Sequence, residues 1–423
     1  MTTRIDASWV ITPEGPVADA SVVVADGAIA WVGATSAAPL ADEVVDCSWG
    51  LLAPGLVDAH THLGLSWSKA LGPTTGHPVY DVFWPRESSL DHDLVKAFAM
   101  SSAAEALLAG TTCVADHYFF ADASAEATTA VGIRSFVGET MATRYVPHHG
   151  RASIERGIDF VERHRSTHLV HPALAPHALD TMGAEALSEV AAEARRLGVP
   201  LHMHVAQSDR EVADVQAEYG CGPVEKLAEI GVLDQPLLAA HAMHASEGEL
   251  DLLARSPSVS TVYCPTVHAG LGRSLPAARL RLIGGNVALG TDAVPTQRRK
   301  LASEARAAVI CQQVLTGDAG ALSLLDAFEM ATAGGAAAIG LANQIGTIEV
   351  GKRADVVAHR LDQPAMAPFT DPVEVWTCSG PDQVHSVWVD GRRVVEDGHL
   401  VLVDEGSIAR SAQAARAKLF LRN

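Results

Sequence analysis

Four apolar runs in this chain each end in a residue able to ligate a metal, and that recurrence restricts the fold more than any single motif. The first run, through Leu56 and Val57, leads to His60 and His62. The second ends at His202 and His204, the third at His241, and the fourth, 286–292, at Asp292. Short apolar runs bounded by turn residues read as buried strands. Side chains at i and i+2 of a strand share a face, so His60 and His62 can reach one cation. Catalytic groups delivered by the C-terminal ends of several unrelated strands are the layout of a (β/α)₈ barrel. For each histidine the plainer alternative is a hydrogen-bonded core residue. His202 is assigned to the face opposite His204, with a structural role.

Composition narrows the class. A chain of 423 residues can bury a large core, and a barrel of roughly 250 residues leaves material for a further unit. Apolar residues make up 48% and charged ones 19%, which excludes a disordered chain. With 31 Lys and Arg against 50 Asp and Glu, a net charge of −19 and no basic stripe, nucleic acid is not expected as a partner. The six cysteines are scattered without a CxxC spacing, as in reduced thiols of a cytoplasmic protein. No apolar leader and no stretch of 18 apolar residues occurs, so neither secretion nor membrane insertion is expected.

The ends of the chain resemble each other. Residues 21–32 and 384–395 are each two β-rich runs around Asp-Gly, a hairpin signal. An isolated hairpin is marginal in water, so the two should pair. The expected organisation is a discontinuous β-sandwich from residues 1–53 and 347–423, with a (β/α)₈ barrel of residues 54–346 between its halves. Helical periodicity at 91–108, 183–197, 248–254 and 322–333 mostly separates β-rich runs, and alternating β and α units imply a parallel sheet. Eight strand ends are expected near His60, His117, Glu139, His177, His204, His241, Cys264 and Asp292.

Taken together, residues 54–62, 110–116, 175–177, 202–204, 240–241, 289–292 and 345–355 resemble the amidohydrolase superfamily. The resembling branch contains S-adenosylhomocysteine, guanine and 8-oxoguanine deaminases and the triazine hydrolases. It covers about residues 20 to 400, with the motifs in order. The resemblance implies His60, His62, His204 and Asp292 as ligands of a divalent metal. Three imidazoles and a carboxylate suit zinc, with iron(II) as the alternative. Binuclear relatives bridge two metals with a lysine of the fourth strand. Residues 169–177 contain no lysine, so one metal per chain is expected.

The same resemblance makes Asp292 the general base toward a metal-bound water that attacks an sp² ring carbon, and His241 the residue that steadies the tetrahedral adduct. The expected reaction is deamination of a nitrogen heterocycle. Expulsion of chloride or alkylamine, as in triazine hydrolases, is the alternative within the class, and a non-catalytic binding protein is the alternative outside it. Deaminases of this branch carry His-x-x-Glu, where the glutamate shuttles a proton. Here the segment reads His204-Val205-Ala206-Gln207, and an amide cannot shuttle a proton. A non-standard substrate is the preferred explanation, with an acid elsewhere, His244 or Glu87, as its rival. His177, Trp84, Glu87, Trp67, His77, His117 and His268 are the expected substrate contacts, the tryptophans and His77 by stacking on a flat ring. The partner expected is a small heterocyclic substrate, and the assembly a homo-oligomer, dimer or tetramer.

Overall fold

Two Asp-Gly turns organise the ends of the chain. Asp26 and Gly27 have φ of 50° and 77°, and Asp390 and Gly391 have φ of 54° and 77°. These are the paired positive values of a type I′ hairpin turn, which Asp-Gly adopts with little strain. The computed structural model describes residues 1–71, 78–294, 297–379 and 384–422. His77 lies outside the described residues.

The N-terminal strands are β1 (Thr2–Thr12), β2 (Gly15–Ala25), β3 (Ala28–Ala34) and β4 (Glu43–Pro54). Then follow β5 (Leu56–Thr61), β6 (Thr111–Tyr118), β7 (Arg134–Met141), β8 (Val170–Pro172), β9 (Ala175–Pro176), β10 (Leu201–Val205), β11 (Leu237–His241), β12 (Val259–Tyr263) and β13 (Asn286–Leu289). The C-terminal strands are β14 (Val356–Arg360), β15 (Val384–Val389), β16 (Arg392–Glu396) and β17 (His399–Leu400).

Both ends enter one eight-stranded sheet, in the order β17-β16-β15-β14-β4-β1-β2-β3. The junction is the antiparallel pairing of β14 with β4, Val356 opposite Pro54. Instead of two separate layers, the strands share a continuous hydrogen-bonded sheet over a core of Ile5, Val22, Leu52, Val356 and Trp388.

Strands β5 to β8 are parallel neighbours in order, with β9 on β7, and β10 to β13 form a second parallel set. Isolated parallel bridges connect the sets at both margins, Thr61 with Asp292 and Leu174 with Leu201. Helices Ala121–Val131, Ala184–Leu197 and Glu247–Arg255 alternate with these strands. Val57, Cys113, Phe136, Leu238, Val262 and Ala288 meet in one buried cluster, so strands from both sets share a core. Arg134 at the start of β7 ties this part to the terminal sheet. Its Nε and Nη2 donate to the two carboxylate oxygens of Asp355, both at 2.9 Å, and the pair is buried. All six cysteines are free thiols. Among the described residues no helix is long and apolar enough to cross a membrane.

Candidate metal centre and cavity

The ends of β5, β10 and β13 bring the predicted ligands together, with His241 at the end of β11 beside them. His62 Nε2 is 3.2 Å and His60 Nε2 3.7 Å from Asp292 Oδ1. His204 Nε2 is 3.4 Å from His62 Nε2. Two overlapping triads, His60-His62-Asp292 and His60-His204-His241, each have donor atoms within 4.8 Å of one another. Asp292, with φ of 55°, and His241, with φ of 78°, occupy left-handed backbone conformations that cost an L-residue energy. Such outliers at strand ends mark positions held by surrounding structure, often for function.

The rear nitrogens set the orientation of the rings. His62 Nδ1–H donates to the His117 carbonyl at 2.5 Å, and His204 Nδ1–H donates to the His177 carbonyl at 2.9 Å. A donating Nδ1 leaves Nε2 as a bare lone pair facing the centre, the state a ligand needs. His60 Nδ1 pairs with His202 Nε2 at 2.8 Å, and His60 Nε2 is buried with no hydrogen-bond partner among the described residues. A buried polar atom without a partner is costly, and a cation satisfies it. The donor set therefore fits a divalent ion.

Burial opposes ionisation of Asp292, but its bond to His62 and the nearby His241 outweigh burial and hold the carboxyl below the usual range. Beneath it, Asp58 accepts from Thr291 N at 2.9 Å and Thr291 Oγ1 at 2.6 Å. Burial pushes Asp58 up to about 6 despite Arg299. Arg299, wholly buried, donates to Thr291 Oγ1 at 2.6 Å, the Asp292 carbonyl at 3.2 Å and the His62 carbonyl at 3.4 Å. It clamps both ligand-bearing strand ends. Nothing in its loop sequence signals that role.

His202 corrects a sequence expectation. It lies beside His204 in the interior and supports His60, because residues two apart on a strand share a face. Placing it opposite His204 misapplied that rule.

Above the cluster is a cavity of about 660 Å³. His62, His204, His241 and Asp292 line it at the metal end, with His117, His177, Trp84, Glu87 and Gln207 around them. Trp84 meets the His177 ring edge-on at 5.8 Å. His117 Nδ1 and Thr140 Oγ1 pair at 3.0 Å. Two expected contacts lie elsewhere. Trp67 is wholly buried, T-shaped on Phe83 at 5.8 Å, with its indole N–H donating to Tyr118 Oη at 3.4 Å. It presents no face to the cavity because its segment turns inward as a short 3₁₀ helix, Leu63–Ser68. His268 is also wholly buried, behind His241, with 3.1 Å between His268 Nε2 and His241 Nδ1. Burial keeps both of these rings well toward the neutral form.

Glu87 is buried at the cavity wall and accepts from Tyr118 Oη at 2.7 Å. Burial pushes its carboxyl up to about 7, against the opposing pull of Tyr118 and His62. His244, the other acid named from the sequence, is not among the lining residues and faces Asp209 at 2.7 Å. Gln207 lines the cavity, its backbone N–H held by Glu211 Oε2 at 2.7 Å.

Known proteins resemble this chain along nearly its whole length. The amidohydrolase family model matches residues 51–394. A 5-methylthioadenosine/S-adenosylhomocysteine deaminase of Desulforudis audaxviator is 33% identical, covering 97% of each chain. A 5'-deoxyadenosine deaminase of Methanothermobacter thermautotrophicus is also 33% identical, over 97% of each chain. Among solved structures, an adenosine deaminase from Xanthomonas campestris with bound zinc superposes with a TM-score of 0.94, at 29% identity over 99% of this chain and 98% of that one. An atrazine chlorohydrolase from Arthrobacter aurescens complexed with zinc shares the fold, with a TM-score of 0.88 at 23% identity over 98% of this chain and 100% of the other. With that family match across most of its length, the chain belongs to the amidohydrolase family and is a hydrolase of carbon–nitrogen bonds.

Proposed function

We propose that this chain is a mononuclear metal-dependent deaminase of adenosine-type heterocycles. The observation that carries the reading is the convergence of three imidazole Nε2 atoms and Asp292 at the floor of one cavity, with the Nδ1 atoms of His62 and His204 already donating elsewhere. The relatives named as deaminases of adenosine compounds support the substrate class. His60, His62, His204 and Asp292 would hold one ion, zinc before iron(II). Such an ion supplies Lewis acidity and draws the pKa of water at the site toward neutrality.

The residues do the rest. Trp84 and His177 orient a flat ring against the cluster. Asp292 takes the proton from the attacking water, and His241 stabilises negative charge as the ring carbon becomes tetrahedral. Water adds at the amino-bearing carbon, ammonia departs and the carbon becomes a carbonyl, so a proton must reach the leaving nitrogen. Gln207 cannot deliver it. Glu87, in the same cavity and protonated below about 7, is the acid we assign. That assignment replaces the non-standard substrate preferred from the sequence.

On architecture, the margin bridges support one (β/α)₈ barrel within residues 54–346, carried on a unit made by residues 1–53 and 347–423. The test of function is metal analysis of the purified protein together with ammonia release from 5'-deoxyadenosine, 5-methylthioadenosine and S-adenosylhomocysteine, with guanine and an aminotriazine as controls. One ion per chain and preference for the adenosine compounds are expected. Ammonia from none of them by fully loaded protein would overturn the reading, and two ions per chain with a modified lysine would overturn the mononuclear site.

A further inference from the structure

His241 presents Nε2 to the metal cluster because its Nδ1 is taken by His268 Nε2 at 3.1 Å. Its ring stacks on His204, centroids 5.3 Å apart and planes within 8°, and stands edge-on to His60 at 5.2 Å. Two neutral imidazoles sharing one hydrogen bond have two arrangements. Either His241 donates from Nδ1, leaving its Nε2 bare, or His268 donates from Nε2, placing the proton of His241 on Nε2.

The far side of His268 decides between them. Its Nδ1 is buried with no hydrogen-bond partner among the described residues, and the ring is wholly enclosed. In the first arrangement that orphan atom is an N–H, and in the second a lone pair. Among backbone groups, orphaned buried N–H donors are rarer than under-used acceptors, and the same preference carried over to the His268 ring favours the lone pair. The neighbouring pair offers a contrast. His202 also has an Nδ1 without a partner among the described residues, behind His60, but there a cation held by His60 would compensate the unpaired N–H of His202. His241 lies outside the four-ligand set and receives no such compensation.

We infer that His268 is a positioning residue that fixes His241 as its Nε2–H tautomer, so that His241 confronts the reacting centre as a hydrogen-bond donor. This rests on the deaminase reading for its use, since a donor aimed at the cluster meets the oxygen on which negative charge develops. A bare Nε2 there would repel that charge and compete for the ion. The orientation of the pair is nonetheless a property of the protein itself.

The experiment is long-range ¹H–¹⁵N spectroscopy of the zinc-loaded protein labelled on histidine nitrogen, with the His241 signals assigned by their loss in His241→Asn. The wild type is expected to show His241 protonated at Nε2 only. His268→Phe should give a mixture of tautomers and a kcat lower by about 10²-fold, the usual size of one lost donor to a developing oxyanion, with KM and zinc content within about twofold. In His268→Asn the amide N–H₂ still donates, so single-tautomer signals and kcat within about threefold are expected. His241 protonated at Nδ1 in the wild type, or His268→Phe with an unchanged tautomer, overturns the inference. Loss of the zinc in His268→Phe overturns it too, by making His268 a support of the ion. If no adenosine compound is turned over, the deaminase reading fails while the spectra still judge the tautomer.

Discussion

The two sides of the cavity are held in different ways. On the side proposed to hold the metal, His60, His62 and His204 sit at strand ends with their rear nitrogens engaged, His62 and His204 by carbonyls and His60 by His202. On the opposite side, Trp84 and Glu87 belong to a four-residue helix, Trp84–Glu87, and Gln207 to the loop after β10. There Glu87 rests on Tyr118 Oη, and Trp84 packs edge-on with the rings of His177 and Tyr80. Strand ends with secured second partners give fixed geometry, which activation of water requires. Loops on a rigid scaffold can change residue without disturbing it, and the glutamine at 207 is such a change.

The comparison is tested most severely at Asp292. Asp292→Asn should lower kcat by about 10³-fold or more, through loss of a positioned base and a ligand, with far-UV circular dichroism unchanged. Near-normal turnover would remove Asp292 from the chemistry and the metal side from its central place.

Next in size is Glu87→Gln, expected to reduce kcat by about 10²-fold. A carboxyl pushed up to about 7 is a proton donor below that pH and loses its proton above it, so wild-type kcat should fall as pH rises through about 7. The groups facing the carboxyl are Tyr118 and His62, and His148 Nε2–H donates to the Glu87 backbone carbonyl at 3.0 Å. In Glu87→Gln that limb should vanish, and adding Gln207→Glu should restore much of the rate by returning an acid to the cavity. A pH limb that survives Glu87→Gln, with Gln207→Glu alone faster than wild type, would return the explanation to a non-standard substrate.

A smaller effect probes the support of His60. His202→Leu leaves His60 Nδ1 without its partner and should weaken zinc binding by about 10–100-fold in chelator competition. Unchanged affinity would mean that packing alone orients His60. Smallest is the aromatic pair. Trp84→Ala should raise KM by up to about tenfold, the worth of one aromatic contact, while Trp67→Phe should leave KM unchanged and lower the melting temperature. Equal effects on KM would put Trp67 at the substrate after all.

The alternating parallel strands, the convergence of His60, His62, His204 and Asp292, and both terminal hairpins were legible because each is written locally. An apolar run, a donor two residues from another and an Asp-Gly between β-rich segments need no knowledge of distant chain. His202 was legible too, since the same two-residue period places it with His204, and the contrary expectation was an error of reading. The choice between Trp67 and Trp84 was not, because both are aromatic residues in one loop region and only packing turns one inward on Phe83 and the other toward His177.

The sequence by itself determined which atoms could bind a cation and that they would sit at the ends of strands, because donor type and strand periodicity are properties of neighbouring residues. Tertiary structure alone decided what stands behind and across from them. Arg299 reaches the His62 carbonyl across 237 positions, Thr291 meets Asp58 across 233, and Tyr118 binds Glu87 across 31. No periodicity records such pairs. They exist because packing the parallel strands against a common core brings remote loops together, where burial then shifts which side chain favours a proton.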